Sequence, residues 1–151
     1  MTYVKDLDTG AQSGLEQMRF FQSGGLNYRG IGHKLGLEIT EVEEGRVVFA
    51  ATPSEDAYNP LGSVHGGYIA TLLDSALGCA VHSSLKAGLG YTTLELKINY
   101  LRPLSAATGR IEAEGRVVQT GRRAAFAEGK VTDARGRVYA TATTTCLVFD
   151  K

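Results

Sequence analysis

Residues 66–85 read GGYIATLLDSALGCAVHSSL, and the only formal charge in that stretch is Asp74. Its apolar side chains are spread around nearly the whole helical wheel, so a helix here must be covered from almost every side. A carboxylate at its middle costs roughly several kcal/mol to desolvate unless partners compensate. Folding alone would be better served by Leu or Ala, so a buried Asp74 is expected to do something other than pack. The helix opens on His65-Gly66-Gly67, whose backbone amides suit negative charge. The run reaches the length of a membrane span. Asp74, His82 and the interior serines, without aromatic or basic flanks at both ends, favour a core helix over a membrane helix.

The 151 residues fit one domain, spanning 1–151, with an N-terminal segment at 1–34 and a core at 35–149. Hydrophobic residues make up 43%, enough to build that core. Sixteen basic residues balance sixteen acidic ones, which argues against nucleic-acid binding and leaves little charge to oppose self-association. Cys79 and Cys146 sit among apolar neighbours and read as small buried hydrophobes. Residues 1–14, MTYVKDLDTGAQSG, lack the apolar core of a signal peptide, so a cytoplasmic location is expected. Residues 1–12 are expected to be mobile.

Ser13 is a cap candidate for a short helix over 13–22, with Leu15, Met18 and Phe21 at helical spacing. Leu35, Leu37 and Ile39 alternate as a strand does, and Glu44-Gly45 turns the chain into a second strand at 47–52. Residues 54–64 read as a loop. After the long helix, closed by Lys86-Ala87-Gly88, the sequence is strand-like. Leu94, Leu96 and Ile98 share one face of 92–101, and Thr93, Glu95, Lys97 and Asn99 the other. Strands at 110–118, 124–132 and 138–149 follow, with turns at Gly121-Arg122-Arg123 and Asp133-Ala134-Arg135-Gly136. The expected fold is α+β, in the order β-β-α-β-β-β-β, with the last four strands as an antiparallel meander. One sheet wraps the helix but cannot cover all of it, so a second subunit is expected on the remaining face.

The run Asn59-Pro60-Leu61-Gly62-Ser63-Val64-His65-Gly66-Gly67, followed by Ala70-Thr71-Leu72-Leu73-Asp74, resembles the signature of the PaaI-like acyl-CoA thioesterases of the hotdog-fold superfamily. Residues 91–103, YTTLELKINYLRP, and Val118-Gln119-Thr120-Gly121-Arg122 are similar to that family's later strands. The resemblance covers about residues 35–149. It implies a hotdog fold, a homodimer joined sheet edge to sheet edge, often a dimer of dimers, and hydrolysis of acyl-CoA without metal or cofactor.

On that reading Asp74 is the nucleophile or the general base, or else a structural acid bridging a neighbour. The amides of Gly66 and Gly67 are the candidate oxyanion site. From Gly66 to Asp74 is about 12 Å of helix at ~1.5 Å per residue. Attack needs the acid within ~3–3.5 Å of the carbon that the amides polarise. One helix cannot supply both, so two subunits must share each site. His65 is either a ligand of the thioester or a structural cap. The resemblance gives Asn59 the holding of the carbonyl or water, against an ordinary Asn-Pro turn. It gives Thr93, or Thr92 one residue away, the positioning of water.

Arg102, Gln119, Thr120, Gly121, Arg122 and Arg123 are the candidates for the phosphates of CoA, or else solvated hairpin residues. Tyr68, Leu72, Leu77 and Phe20-Phe21 are expected to line the acyl pocket. His33, His65 and His82 lack metal-binding spacing, so no metal is expected. A Cys79–His82 nucleophile pair is expected to be buried away from any cleft. A hydratase or dehydratase and a non-catalytic acyl-CoA binder are the competing functions; both aromatic and aliphatic acyl groups remain open.

Overall fold

Ser13 caps α1 (Gly14–Gln22) in the computed structural model, which describes residues 11–25 and 29–151. The Ser13 hydroxyl accepts from Glu16 N–H at 3.3 Å, and the Glu16 carboxylate accepts from Ser13 N–H at 2.7 Å. These reciprocal bonds satisfy amides that the first helical turn leaves open. Apart from residues 11 and 12, the stretch expected to be mobile lies outside the described residues.

The chain continues through α2 (Ile31–Lys34), β1 (Glu38–Glu43), β2 (Arg46–Ala51), α3 (Gly66–Ser83), β3 (Leu89–Tyr100), β4 (Ile111–Thr120), β5 (Ala124–Asp133) and β6 (Val138–Asp150). The strand predicted from Leu35 starts at Glu38 instead. Leu35 N–H bonds to Ile31 O at 2.9 Å and so closes α2, and Gly36 then turns the chain at φ 68°.

The strands form one antiparallel sheet in the order β1-β2-β4-β5-β6-β3. The meander expected over the last four strands therefore holds only for β4–β6. Residues 101–110 are too long for a tight hairpin. They bury Leu104, form a 3-10 turn at Ala106–Thr108 and carry the chain across. β3 consequently pairs with β6, from Leu89 opposite Asp150 to Tyr100 opposite Ala140, and becomes an edge strand.

The sheet curls round α3, whose Leu72, Leu73, Ala76, Leu77, Ala80 and Val81 are wholly buried. The helix settles on the sheet at Gly115 and Gly129, which face each other across β4 and β5. A Cβ on Gly115 would come within 2.4 Å of Ala76 O, and one on Gly129 within 2.6 Å of the Leu77 side chain. A side chain at Gly115 would push against the helix backbone itself, and one at Gly129 would also come within 2.5 Å of Glu114 O on the neighbouring strand.

β3 also departs from the predicted alternation. Its register slips between Thr93 and Glu95, and Leu94, read as a core residue, bulges out to 60% exposure. The extra residue inverts the parity of the strand. Tyr91 on one side of it and Leu96 and Ile98 on the other all pack against the core, and Thr93 turns inward with them. The sheet leaves one stripe of α3 bare beside β3, with Gly67 and Asp74 exposed and Thr71 and Ser75 half-buried. Among the described residues no helix is long and apolar enough to cross a membrane.

Candidate active site

The loop ahead of α3 is held by its own hydrogen bonds. Asn59 Oδ1 accepts from the N–H groups of Leu61 at 2.9 Å and Ser63 at 3.4 Å, and its amide donates to Ser63 Oγ at 3.2 Å. Asn59 Oδ1 and one of its amide hydrogens are thus engaged within its own turn, as in Asn-Pro turns, and the second amide hydrogen has no partner among the described residues. His65 N–H bonds Ala57 O at 2.7 Å and Val64 N–H bonds Leu104 O at 2.9 Å, which fixes where the helix begins.

His65 is the N-cap of α3: its Nδ1 accepts from Gly67 N–H at 2.8 Å. Of the two amides expected to face an oxyanion, that of Gly67 is thus already bonded within the chain. Among the described residues Gly66 N–H has no partner and remains available. The Tyr100 hydroxyl donates to Gly66 O at 2.9 Å, and the Tyr100 ring leaves only 3.2 Å to a Cβ at position 66. The Gly66 peptide is held from both sides.

Two turns along the helix, Thr93 Oγ1 donates to Asp74 Oδ1 at 3.0 Å. Thr92 is exposed, so the hydroxyl at the acid belongs to Thr93. Asp74 itself is exposed, not buried as its apolar surroundings imply. It stands on the bare stripe, where none of the described residues covers it, so the desolvation argument does not apply to them alone.

The basic residues expected to hold one nucleotide are separated. Arg102 donates to Val138 O and lines a cleft of about 300 Å³ with Gly66, Ile69 and Tyr100. Arg122 and Arg123 line a different cleft with Leu89, Leu147 and Phe149. Val138 and Leu147 are nine residues apart on β6, roughly 30 Å at ~3.3 Å per residue. Beside the second cleft, Gln119 is exposed, Thr120 Oγ1 bonds Ser84 Oγ at 2.8 Å, and Gly121 N–H bonds Ala124 O at 2.8 Å.

An apolar cavity of about 350 Å³ opens between α1, α3 and β3, lined by Met18, Phe21, Cys79, His82, Tyr91 and Phe149 among others. Phe21, expected at an acyl pocket, lines this cavity. Tyr68, Leu72 and Leu77 are core residues instead, and Phe20 is 40% exposed. Cys79 and His82 are not remote from a cleft as expected, since both line this one. Burial, with the nearby Asp74 charge, pushes the Cys79 thiol up to about 12, so it carries no thiolate at neutral pH. Burial, assisted by the Lys151 charge, pulls His82 down to about 4. The His82–Gln17 contact, with Nε2 3.2 Å from Oε1, has no counterpart in sequence reasoning. The two residues lie 65 positions apart, and no local pattern links them.

The sequence model of the thioesterase superfamily matches residues 61–140. The 1,4-dihydroxy-2-naphthoyl-CoA hydrolase of Listeria monocytogenes is 26% identical over 122 residues, 81% of this chain and 98% of that protein. The crystal structure of a phenylacetic acid degradation-related protein from Ralstonia eutropha JMP134 superposes with a TM-score of 0.77 at 27% identity, covering 85% of this chain and 97% of that one. A variant of the phenylacetic acid degradation protein PaaI from Thermus thermophilus gives 0.70 at 31% identity, over 77% and 96% of the respective chains. These likenesses agree with the hotdog arrangement of one sheet around one helix.

Proposed function

The chain belongs to the thioesterase superfamily, and from that premise we propose that it hydrolyses an acyl-CoA thioester to the free acid and CoA in sites shared by two copies of itself. The observation that carries the reading is the Thr93–Asp74 hydrogen bond beside a sheet edge that is unpaired among the described residues.

Twelve residues of β3 lie along that edge, with Leu94, Tyr100 and Leu101 at least half exposed beside it or just past its end. Long unpaired edges are templates for another strand. Asp74 marks Thr93 on this strand and Gly66 marks Tyr100. A two-fold axis midway between them, at Leu96–Lys97, sets Thr93 opposite the partner's Tyr100 in an antiparallel pair. Asp74 of one copy then faces the partner's Gly66, which removes the ~12 Å separation within one helix. The same operation brings the Arg122–Arg123 end of one copy toward the Arg102 end of its partner, so both clefts border one site and can share the nucleotide.

Asp74 acts as general base. The Thr93 hydroxyl donates a hydrogen bond to Oδ1 and can accept one from a water, which Oδ2, without a partner among the described residues, can deprotonate. The water oxygen bonds to the thioester carbon and its proton passes to Asp74. The carbonyl oxygen becomes an anion against the partner's Gly66 N–H, a donor worth ~3–4 kcal/mol in such sites. The carbon–sulfur bond then breaks and the proton moves from Asp74 to the departing sulfur. Thiol release from a panel of acyl-CoAs by the wild type and by Asp74→Asn tests the reading. A protein that is fully active as a monomer overturns it.

A further inference from the structure

Thr93 and Tyr100 lie seven residues apart on β3, and in a regularly pleated strand an odd spacing puts two side chains on opposite faces. Both nevertheless bond α3: Thr93 Oγ1 donates to Asp74 Oδ1, and the Tyr100 hydroxyl donates to Gly66 O. The register slip between Thr93 and Glu95 makes this possible, because its extra residue turns the two ends of the strand to the same side. Leu94 and Glu95 are exposed in succession there. One strand thus serves both the acid and the start of the helix, provided that the slip stays between them.

β6 runs past the slip without a break in its own alternation. Ala140, Ala142, Cys146 and Val148 are buried along its inner face, and Thr144, 3% exposed, brings a hydroxyl into that row. Opposite it the pairing passes from Thr93–Cys146 to Leu96–Thr144, with the slip between. Thr144 Oγ1 donates to Glu95 O at 2.6 Å, so a buried side chain of β6 holds the backbone of β3 at the slip itself. A bulge disrupts the ladder locally, and a carbonyl at such a place is served by a donor from a side chain. Cys146 stands opposite Thr93, and its thiol lies beside the Thr93 and Thr144 hydroxyls. The neighbouring Thr145 also reaches Glu95, but at its exposed carboxylate, with Oγ1 3.4 Å from Oε2.

We propose that Thr144 is a positioning residue of the hydrolytic site: its hydroxyl pins the slip of β3 and thereby aims Thr93 at Asp74 while Tyr100 stays on Gly66. Thr144 meets no reactant and acts through Thr93. Packing alone would be served by Val, which has the same shape and suits a buried strand position as well. The hydroxyl is accounted for by the carbonyl it holds. In Thr144→Val that carbonyl faces a methyl group instead of a donor, and the backbone at the slip loses its side-chain tie to β6. The proposal rests on the thioesterase reading of the Asp74 site.

The test compares the wild type, Thr144→Val, Thr144→Ser and the control Thr145→Val in steady-state hydrolysis of the acyl-CoA that the wild type turns over fastest. Thr144→Val should lower kcat about tenfold, the size of one lost hydrogen bond, with KM within about twofold of wild type. Thr144→Ser, which keeps the hydroxyl, and Thr145→Val should each hold kcat within about threefold. In a Thr93→Val background, Thr144→Val should cost less than about threefold more, because residues acting through one hydrogen bond are not additive. A threonine that serves the fold alone would cost the same factor in both backgrounds. A Thr144→Val protein that keeps its kcat, or loses it equally with and without the Thr93 hydroxyl, overturns the proposal. Thr144→Ala replaces a Thr144→Val protein that does not fold, with the same outcomes. If the wild type hydrolyses no acyl-CoA, the thioesterase reading fails, and crystal structures of the wild type and Thr144→Val decide the positioning. A Thr93–Asp74 hydrogen bond broken in the variant alone supports it; a bond that is unchanged overturns it.

Discussion

Thr93 reaches Asp74, Oγ1 to Oδ1 across 3.0 Å, because Leu94 bulges out of β3 and reverses which side of the strand each residue faces. Regular pleating would have put Thr93 and Leu96 on opposite faces, and the acid would have met an apolar side chain.

Removing the acid tests the core of the mechanism. Asp74→Asn should lower kcat by about 10²–10⁴, the range for losing a positioned base, with KM little changed. Thr93→Val should lower kcat by about 10–100-fold, the size of a hydrogen bond to a charged group, while Thr93→Ser keeps most of the activity. Steady-state kinetics on folded variants decide; an unaffected Asp74→Asn would falsify the assignment.

Labelled water separates a base from a nucleophile. A single turnover with enzyme in excess in ¹⁸O water should place the label in the acid product. An unlabelled product at first turnover means that a carboxylate oxygen of Asp74 attacked and water then opened the resulting anhydride at the aspartyl carbon; a labelled product identifies the base when hydroxylamine traps no aspartyl anhydride.

Sharing of sites is testable by mixing. Gly66→Pro deletes the amide proton at the first helical position, where proline is tolerated, and Asp74→Asn deletes the base. Each variant alone should be nearly inactive. After unfolding and refolding together at equal amounts, random pairing makes about half of the dimers mixed, each with one intact site, so roughly a quarter of wild-type activity returns. Failure to recover activity while the mixture remains dimeric contradicts the shared site.

His82 should couple stability to pH. Its folded value, about 4, lies below the ordinary imidazole value of 6.5. Between these values the unfolded chain binds the extra proton, so stability is full above 6.5 and falls as pH drops toward 4. The size is about 3 kcal/mol at ~1.36 kcal/mol per unit. Denaturant titrations across that window should show the slope in the wild type and a flatter curve in a His82→Leu, Gln17→Leu double variant. Equal slopes in the two proteins count against it.

Gly115→Ala should lower stability by about 3 kcal/mol, at the upper end for overpacking a tight contact. For a chain of this length that is roughly 6–12 °C in Tm. Calorimetry of the variant beside an exposed control such as Gly136→Ala, strained only by its backbone turn, makes the comparison.

The elements written in local pattern are legible in the sequence. The capping residues Ser13 and Glu16, the apolar run after His65 and the turns at Gly45, Gly121 and Gly136 each signal themselves within a few residues. The place of β3 does not, because its pairing with β6 depends on residues some fifty positions away. Nothing in Thr92-Thr93-Leu94-Glu95-Leu96 marks the bulge, since the alternation runs through it unbroken. At the site, the types of residue are visible but not their commitments. Gly67 looks like a free amide until His65 folds back on it, and Asp74 looks buried until the sheet leaves its stripe uncovered. Tyr91 and His82 meet only through packing, so neither drew notice as a pair.

The contact at Gly115 and Gly129 sets more than stability. Gly115 acts as a spacer of zero thickness beneath the helix, and a single methyl inserted there would press on the backbone at Ala76, two residues from Asp74. With two-fold pairing, both reaction centres would lose alignment together. Residues that meet no reactant thereby govern how well the chemistry is aimed.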